Sequence, residues 1–166
     1  MKEFKPYSKE VMKHFVHPKN MGKMKNPDGV GEAGNIYCGD IMKLYLKIRK
    51  NKISDIKFEC LGCVVAIANT SLLTTMVKGK KLIDVLKITK EDILRKLGQV
   101  PVTKIHCSIL ALDALNEAIF DYYSKNNLKI PSKLQREHER IQQTVKTLES
   151  KYRKYLEFEK KVLEKK

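Results

Sequence analysis

Met42-Lys43-Leu44-Tyr45-Leu46-Lys47-Ile48-Arg49, then Lys50-Asn51-Lys52, then Ile53-Ser54-Asp55-Ile56-Lys57-Phe58-Glu59-Cys60, is the stretch that decides the fold. Met42, Leu44, Leu46 and Ile48 alternate with Lys43, Tyr45, Lys47 and Arg49, and a period of two marks a strand with one buried face. Lys50-Asn51-Lys52 reads as a hairpin turn. The second run puts Ile56, Phe58 and Cys60 on one face and Asp55, Lys57 and Glu59 on the other. Two such runs joined by a short turn form an antiparallel pair.

Working outward, residues 30–36 make a short glycine-containing third strand. Ser8 caps a helix over residues 9–16, with Val11 and Phe15 on one face, and His17-Pro18 ends it. Residues 17–29 read as loop. Beyond Cys63, Val64 to Val77 is apolar or small, stops at Gly79, and is too long for a strand, so it reads as a buried helix. Leu82 to Leu86 adds a helical turn. Thr89-Lys90-Glu91-Asp92 resembles a capping box and opens a helix that stops at Gly98. Pro101 dictates extended chain. His106 to Lys125 carries Ile109, Leu112, Leu115, Ala118, Ile119 and Tyr122 at helical spacing, and Asn126-Asn127 ends it. The expected class is α+β: a small antiparallel three-stranded sheet with helices packed on one face, plus a long C-terminal helix.

That last helix begins at Pro131-Ser132. Leu134, Ile141, Val145, Leu148, Tyr152, Tyr155 and Val162 follow a seam of 3.5-residue period, as in a coiled coil, which His138 and Glu159 weaken. Residues 132–166 as one helix span about 50 Å, against roughly 35 Å for a domain of the preceding residues. The helix must project, bend back or find a partner, and a homo-oligomer is one outcome. The expected division is a domain over 1–127 and a charged helical extension over 128–166.

Composition narrows the function. The net charge is +15, from 34 Lys+Arg and 19 Asp+Glu. The excess is spread out, +6 in residues 126–166 and +9 in residues 1–125. With no basic arm and no reader module, nucleic-acid binding is disfavoured. An acidic protein patch suits such a surface better. No apolar run has the length of a membrane span, and the N-terminus lacks a signal peptide's apolar stretch, so a soluble cytoplasmic protein is expected. Four cysteines are too sparse for a secreted disulfide framework and suit metal binding or sulfur chemistry.

Their spacing is C-x21-C-x2-C-x43-C. A zinc ribbon would show two close pairs, so a site here must be assembled in three dimensions. Cys38 lies in a turn before Gly39-Asp40, Cys63 follows Gly62 at a helix start, and Cys107 opens the long helix beside His106. A thiol at a helix start sits near the positive end of the macrodipole, which favours thiolate. Thiolate binds soft metals and attacks sulfur. Each of these residues alone reads more simply as a buried thiol or a satisfied histidine. Together, with Asp40 and His106 adjacent and Lys104 nearby, they point to a metal or iron–sulfur site. Cys60 shares the core-facing side of its strand with Phe58 and reads as structural.

Several segments together resemble the U-type iron–sulfur scaffold family, IscU and the N-terminal domain of NifU, over roughly residues 7–125. They are Tyr7-Ser8 with His17-Pro18-Lys19-Asn20, Cys38-Gly39-Asp40-Ile41-Met42-Lys43-Leu44, Gly62-Cys63 with Ala66-Ile67-Ala68, Val77-Lys78-Gly79-Lys80, and Lys104-Ile105-His106-Cys107-Ser108-Ile109-Leu110-Ala111. The resemblance implies a scaffold rather than an enzyme. A transient 2Fe–2S cluster would be built from ferrous iron and persulfide from a cysteine desulfurase, then passed to recipient apoproteins. It implies Cys38, Cys63 and Cys107 as thiolate ligands, Asp40 as a labile carboxylate, His106 as an alternative fourth ligand, and Lys104 as the basic residue near the site. Two rival readings use the same residues: a zinc-binding structural or regulatory protein, and a sulfurtransferase carrying persulfide on Cys107. The chain departs from the family where Leu-Pro-Pro-Val-Lys is replaced by Val100-Pro101-Val102-Thr103-Lys104, and Cys60 has no ligand counterpart there.

Overall fold

Residues 7–35 and 39–163 are described by a computed structural model, without the side chains of Asn35, Leu148, Tyr155, Leu156 and residues 158–163. The expectations for Met1 to Pro6 and for Ile36, Tyr37 and Cys38 lie outside the described residues, as do the seam side chains of Leu148, Tyr155, Glu159 and Val162. The chain runs α1 (Lys9–Val16), β1 (Gly29–Asn35), β2 (Asp40–Arg49), β3 (Lys52–Leu61), α2 (Val64–Val77), α3 (Leu82–Val85), α4 (Lys90–Leu97), a 3-10 turn (Val102–Lys104), α5 (His106–Lys125) and α6 (Ser132–Leu163).

The three strands form one antiparallel sheet in the order β1-β2-β3, with Leu44 opposite Gly31 on one side and Phe58 on the other. Lys50 and Asn51 both take positive φ, 50° and 57°, the conformation of a type I′ hairpin turn whose twist matches its strands. The alternation holds: Met42, Leu44, Leu46, Ile56 and Phe58 are fully buried on the side the helices cover. Tyr45 departs from it. It points to the outer face yet is 8 % exposed, because its hydroxyl donates to Glu59 Oε2 at 2.5 Å and lays the ring flat on the sheet. That bond pushes the phenol pKa up to about 12.

Two glycines set how close α5 lies to β1. A Cβ on Gly31 would stand 2.1 Å from the Ala114 carbonyl oxygen, and one on Gly29 would stand 2.2 Å from that of Ala118. Alanines on the helix and glycines on the strand together allow backbone-to-backbone contact. Asp121 on α5 then accepts the Val30 N–H at 2.8 Å. The opposite edge of the sheet is covered by chain. Gly22 donates to Phe58 O at 2.7 Å, Phe58 donates to Asn20 O, and Gly79 donates to Ile53 O. The β3 edge is thereby withheld from pairing with another molecule.

Helix α2 is buried nearly all round, including Asn69, Thr70, Ser71 and Thr74. Ser71 Oγ accepts the Lys19 N–H at 2.8 Å and lies 2.7 Å from His14 Nδ1, locking α1 onto α2. Burial holds the His14 pKa below its usual value, so the neutral ring is the favoured form. The caps at Ser8 and Thr89 form as expected, the latter a complete capping box with Asp92. The chain after Pro101 differs from expectation: instead of continuing extended, Val102–Lys104 makes a 3-10 turn leading straight into α5. Ile109, assigned to the core stripe of α5, is 37 % exposed.

Helix α6 bends back along the domain. Leu134 and Ile141 are buried against it. His138, expected to weaken the seam, strengthens it. Its ring stacks on Phe120 with centroids 3.7 Å apart and planes within 5°, and Nδ1 lies 2.9 Å from Glu117 Oε1. Arg140 pairs with Asp113. Past Ile141 the seam continues as Val145 and Tyr152, which face Ala33 and Ile41 across an open cleft of about 510 Å³. Among the described residues no helix is long and apolar enough to cross a membrane.

Candidate functional site

The site lies at the end of the sheet where β2 begins, β3 ends, and the N-termini of α2 and α5 converge. Asp40 is the first residue of β2 and has the inward parity of Met42. It is 2 % exposed. Its Oδ1 accepts the backbone N–H of Cys63, the N-cap of α2, at 3.1 Å. A carboxylate from another element thus takes the N-cap amide, the one that an N3 side chain takes in a capping box, at the end of α2 where negative charge is favoured. Asp40 Oδ2 accepts the Cys107 thiol at 3.4 Å, and the Cys63 and Cys107 sulfurs stand 3.7 Å apart.

His106 joins from α5. Asp40, His106 and Cys107 each offer a ligand atom, all within 4.8 Å of one another. Among the described residues, His106 Nε2 is buried with no hydrogen-bond partner, as is the Ser108 hydroxyl. A buried ring nitrogen without a partner is costly in a core and is the expected state of a ligand awaiting a cation. Lys104, half-buried, closes the 3-10 turn two residues before His106. Cys38 lies outside the described residues, so its placement relative to the other thiols is carried by the sequence motif alone.

The expectation of lowered thiol pKa values is overturned at Cys107. Burial first, then the neighbouring Cys63 and the Asp40 carboxylate, push the Cys107 thiol up. The 3-10 turn supplies a reason. It already pairs the Lys104 and Ile105 amides, with Pro101 O and Val102 O, and the Ser108 amide reaches back to Ile105 O, so fewer than the usual four amides are left at this terminus to draw charge toward the sulfur. In this state the thiol keeps its proton and gives it to Asp40 as a hydrogen bond. A bound cation reverses the balance, since its charge favours thiolate and expels the proton.

Two participants escaped the reading of motifs. Gly62 is a spacer: a Cβ there would lie 3.0 Å from Ala66 Cβ, 3.1 Å from Cys60 Sγ and 3.2 Å from Asp40 Cγ. Cys60, assigned to the core, is only half-buried at the rim of the site, and burial followed by Asp40 and Cys63 pushes its thiol up to about 12. Its spacing of three from Cys63 was the available signal.

Comparison with known proteins gives the relatives of this chain. The sequence profile of the NifU-like N terminal domain matches residues 6–129. An iron-sulfur cluster assembly scaffold protein, IscU 1 of Archaeoglobus fulgidus, is 50 % identical over 120 residues, covering 72 % of this chain and 78 % of that one. The IscU scaffold protein of Aquifex aeolicus is 41 % identical over 140 residues, covering 80 % and 89 %. The crystal structure of the N-terminal part of a NifU-like protein from Brucella abortus superposes with a TM-score of 0.60 at 21 % identity, covering 72 % and 96 %, a likeness of fold.

Proposed function

Since the chain belongs to the NifU-like N-terminal domain family, we propose that it is a scaffold on which a 2Fe–2S cluster is assembled and then handed to recipient apoproteins. The cluster is cargo. Ferrous iron and persulfide sulfur from a cysteine desulfurase are the inputs, with a thiol reductant, also present in the test below, supplying the electrons for sulfide that iron does not. The ligands in this reading are the thiolates of Cys38, Cys63 and Cys107, with Asp40 or His106 in the fourth position and Lys104 as the basic neighbour. Residues 1–127 carry the activity and residues 128–166 are an extension to it. The cytoplasm supplies the reducing conditions these thiols need.

The observation that carries the reading is the convergence of Asp40, Cys63, His106 and Cys107, from the starts of β2, α2 and α5, on one spot where a buried ring nitrogen has no partner among the described residues. The protein's own part is to hold soft and hard donors together. Cys63 and Cys107 give strong bonds to iron, and a carboxylate oxygen or ring nitrogen gives a weaker one, the natural point of exit. Asp40 has a second task. In the empty site it accepts from Cys107, and once that thiol gives its proton up to solvent as an ion binds, Oδ2 is free to bind metal itself. The same S/N/O donor set suits tetrahedral zinc, which is the second reading.

Anaerobic incubation with ferrous iron, cysteine and a desulfurase tests this. The expected product has visible charge-transfer bands and two irons and two sulfides per site, and it fails to form with Cys107→Ala. A colourless wild-type product carrying zinc alone, or sulfur on Cys107 without iron, would contradict it.

A further inference from the structure

Cys60 has no place in the proposed ligand set, yet its sulfur lies on the same wall. In the antiparallel register Met42 faces Cys60 and Ile41 faces Leu61. Asp40 therefore comes opposite Gly62, and Cys60 is its diagonal neighbour on the inward face, the arrangement in which side chains still meet. What would separate them is the side chain of residue 62, which is glycine. The empty Cβ position is 3.1 Å from Cys60 Sγ and 3.2 Å from Asp40 Cγ, which puts those two atoms within about 6.3 Å of each other. Cys63, three residues on, places its sulfur 3.7 Å from that of Cys107, and Asp40 touches both residues. The buried His106 Nε2 without a partner belongs to the same wall.

We propose that Cys60 is a fourth soft ligand, so that a single divalent cation of zinc or ferrous type is held in the cluster-free protein by Cys60, Cys63 and Cys107 with Asp40 or His106. The Gly62 gap is the space through which the Cys60 sulfur swings toward the ion. Each thiol that joins the cation releases its proton to solvent, and no electrons move. One cation held by three soft sulfurs is kept more tightly than one leaning on Asp40. The site then has two settings: a closed one with Cys60 engaged, which stores one ion, and an open one with Cys60 withdrawn, which builds and releases. This rests on metal loading at the proposed site and adds a ligand to it.

Cobalt(II) is the probe, because its thiolate charge-transfer absorption counts sulfur ligands where zinc is silent. Metal-free wild type, Cys60→Ser and Cys60→Ala are titrated with cobalt. Serine keeps the shape and replaces sulfur with a hard hydroxyl. The expected result is a loss of about a third of the charge-transfer intensity in both variants, one sulfur of the three in a four-coordinate shell, with faster transfer of cobalt to a chelator. Unchanged intensity and transfer rate would overturn the proposal while leaving the proposed function standing. Wild type that binds no cobalt at all would count against both. A second measurement needs no variant: alkylation of wild type, mapped by mass, is expected to be slowed at Cys60 by bound cobalt. Equal reactivity of Cys60 with and without the ion would overturn it.

Discussion

The two ends of helix α5 treat their polar groups in opposite ways. From Asp113 to Asp121 every charged side chain has a partner: Asp113 meets Arg140, Glu117 meets His138 and Gln142, and Asp121 meets Val30 N–H and Lys125. At the first turn, His106 Nε2 and Ser108 Oγ are buried with no partner among the described residues, and the Cys107 thiol has long contacts to the Asp40 carboxylate and the Cys63 sulfur. One region is saturated and closes the fold. The other is left with unused donors and acceptors, and stability there is held back for a ligand.

Substitutions at the two ends should therefore fail differently. The largest effect is expected from Gly31→Ala. Its Cβ would collide with Ala114 O and Ala118 N at 2.1 and 2.2 Å, both backbone atoms that cannot step aside. We expect a loss of about 3 kcal/mol or more, read as a lower midpoint in urea. Glu117→Ala comes next. It strips partners from His138 and Gln142 and should cost about 1–2 kcal/mol while loosening α6, seen as faster amide exchange over residues 132–145. His106→Ala should leave the metal-free protein within about 0.5 kcal/mol of wild type, because no bond is lost, yet weaken retention of a bound metal. A His106→Ala variant as destabilised as Glu117→Ala would erase the contrast. The smallest effect is electrostatic. His14, held neutral by burial beside Ser71, has its folded pKa below the unfolded one. Its stabilising contribution is complete above about pH 6.5 and is lost as pH falls through the lower folded value. His14→Gln should flatten that acid-side slope, and an unchanged slope would remove His14 as its source.

The same contrast explains what the sequence could and could not show. The sheet was legible because Met42 to Ile48 alternate and Lys50-Asn51 can turn, and the helices because Ser8, Thr89, Gly79 and Gly98 mark their ends. These are local properties of neighbouring residues. The closeness of β1 to α5 was not legible, since Gly29 and Gly31 meet Ala114 and Ala118 only after folding. His138 read as a flaw because a seam pattern scores apolarity, whereas its ring stacks on Phe120 and bonds Glu117. At the site, the motifs picked out Asp40, Cys63, His106 and Cys107, which the fold does bring together. They misjudged the Cys107 proton, because burial and the neighbouring Cys63 and Asp40 outweigh the helix terminus at which that thiol sits. They also set Cys60 aside, because alternation gives a face but not how near the end of a strand lies to its neighbours.

The central claim is that Asp40 is the weak bond of an exchangeable centre. Its most direct test is the rate at which reconstituted cluster leaves Asp40→Ala for an apo-ferredoxin, followed by visible absorption beside wild type. The account predicts release slowed by about tenfold, equivalent to roughly 1.4 kcal/mol in the barrier. Release from Asp40→Ala as fast as from wild type, with the cluster intact at the start, would contradict it.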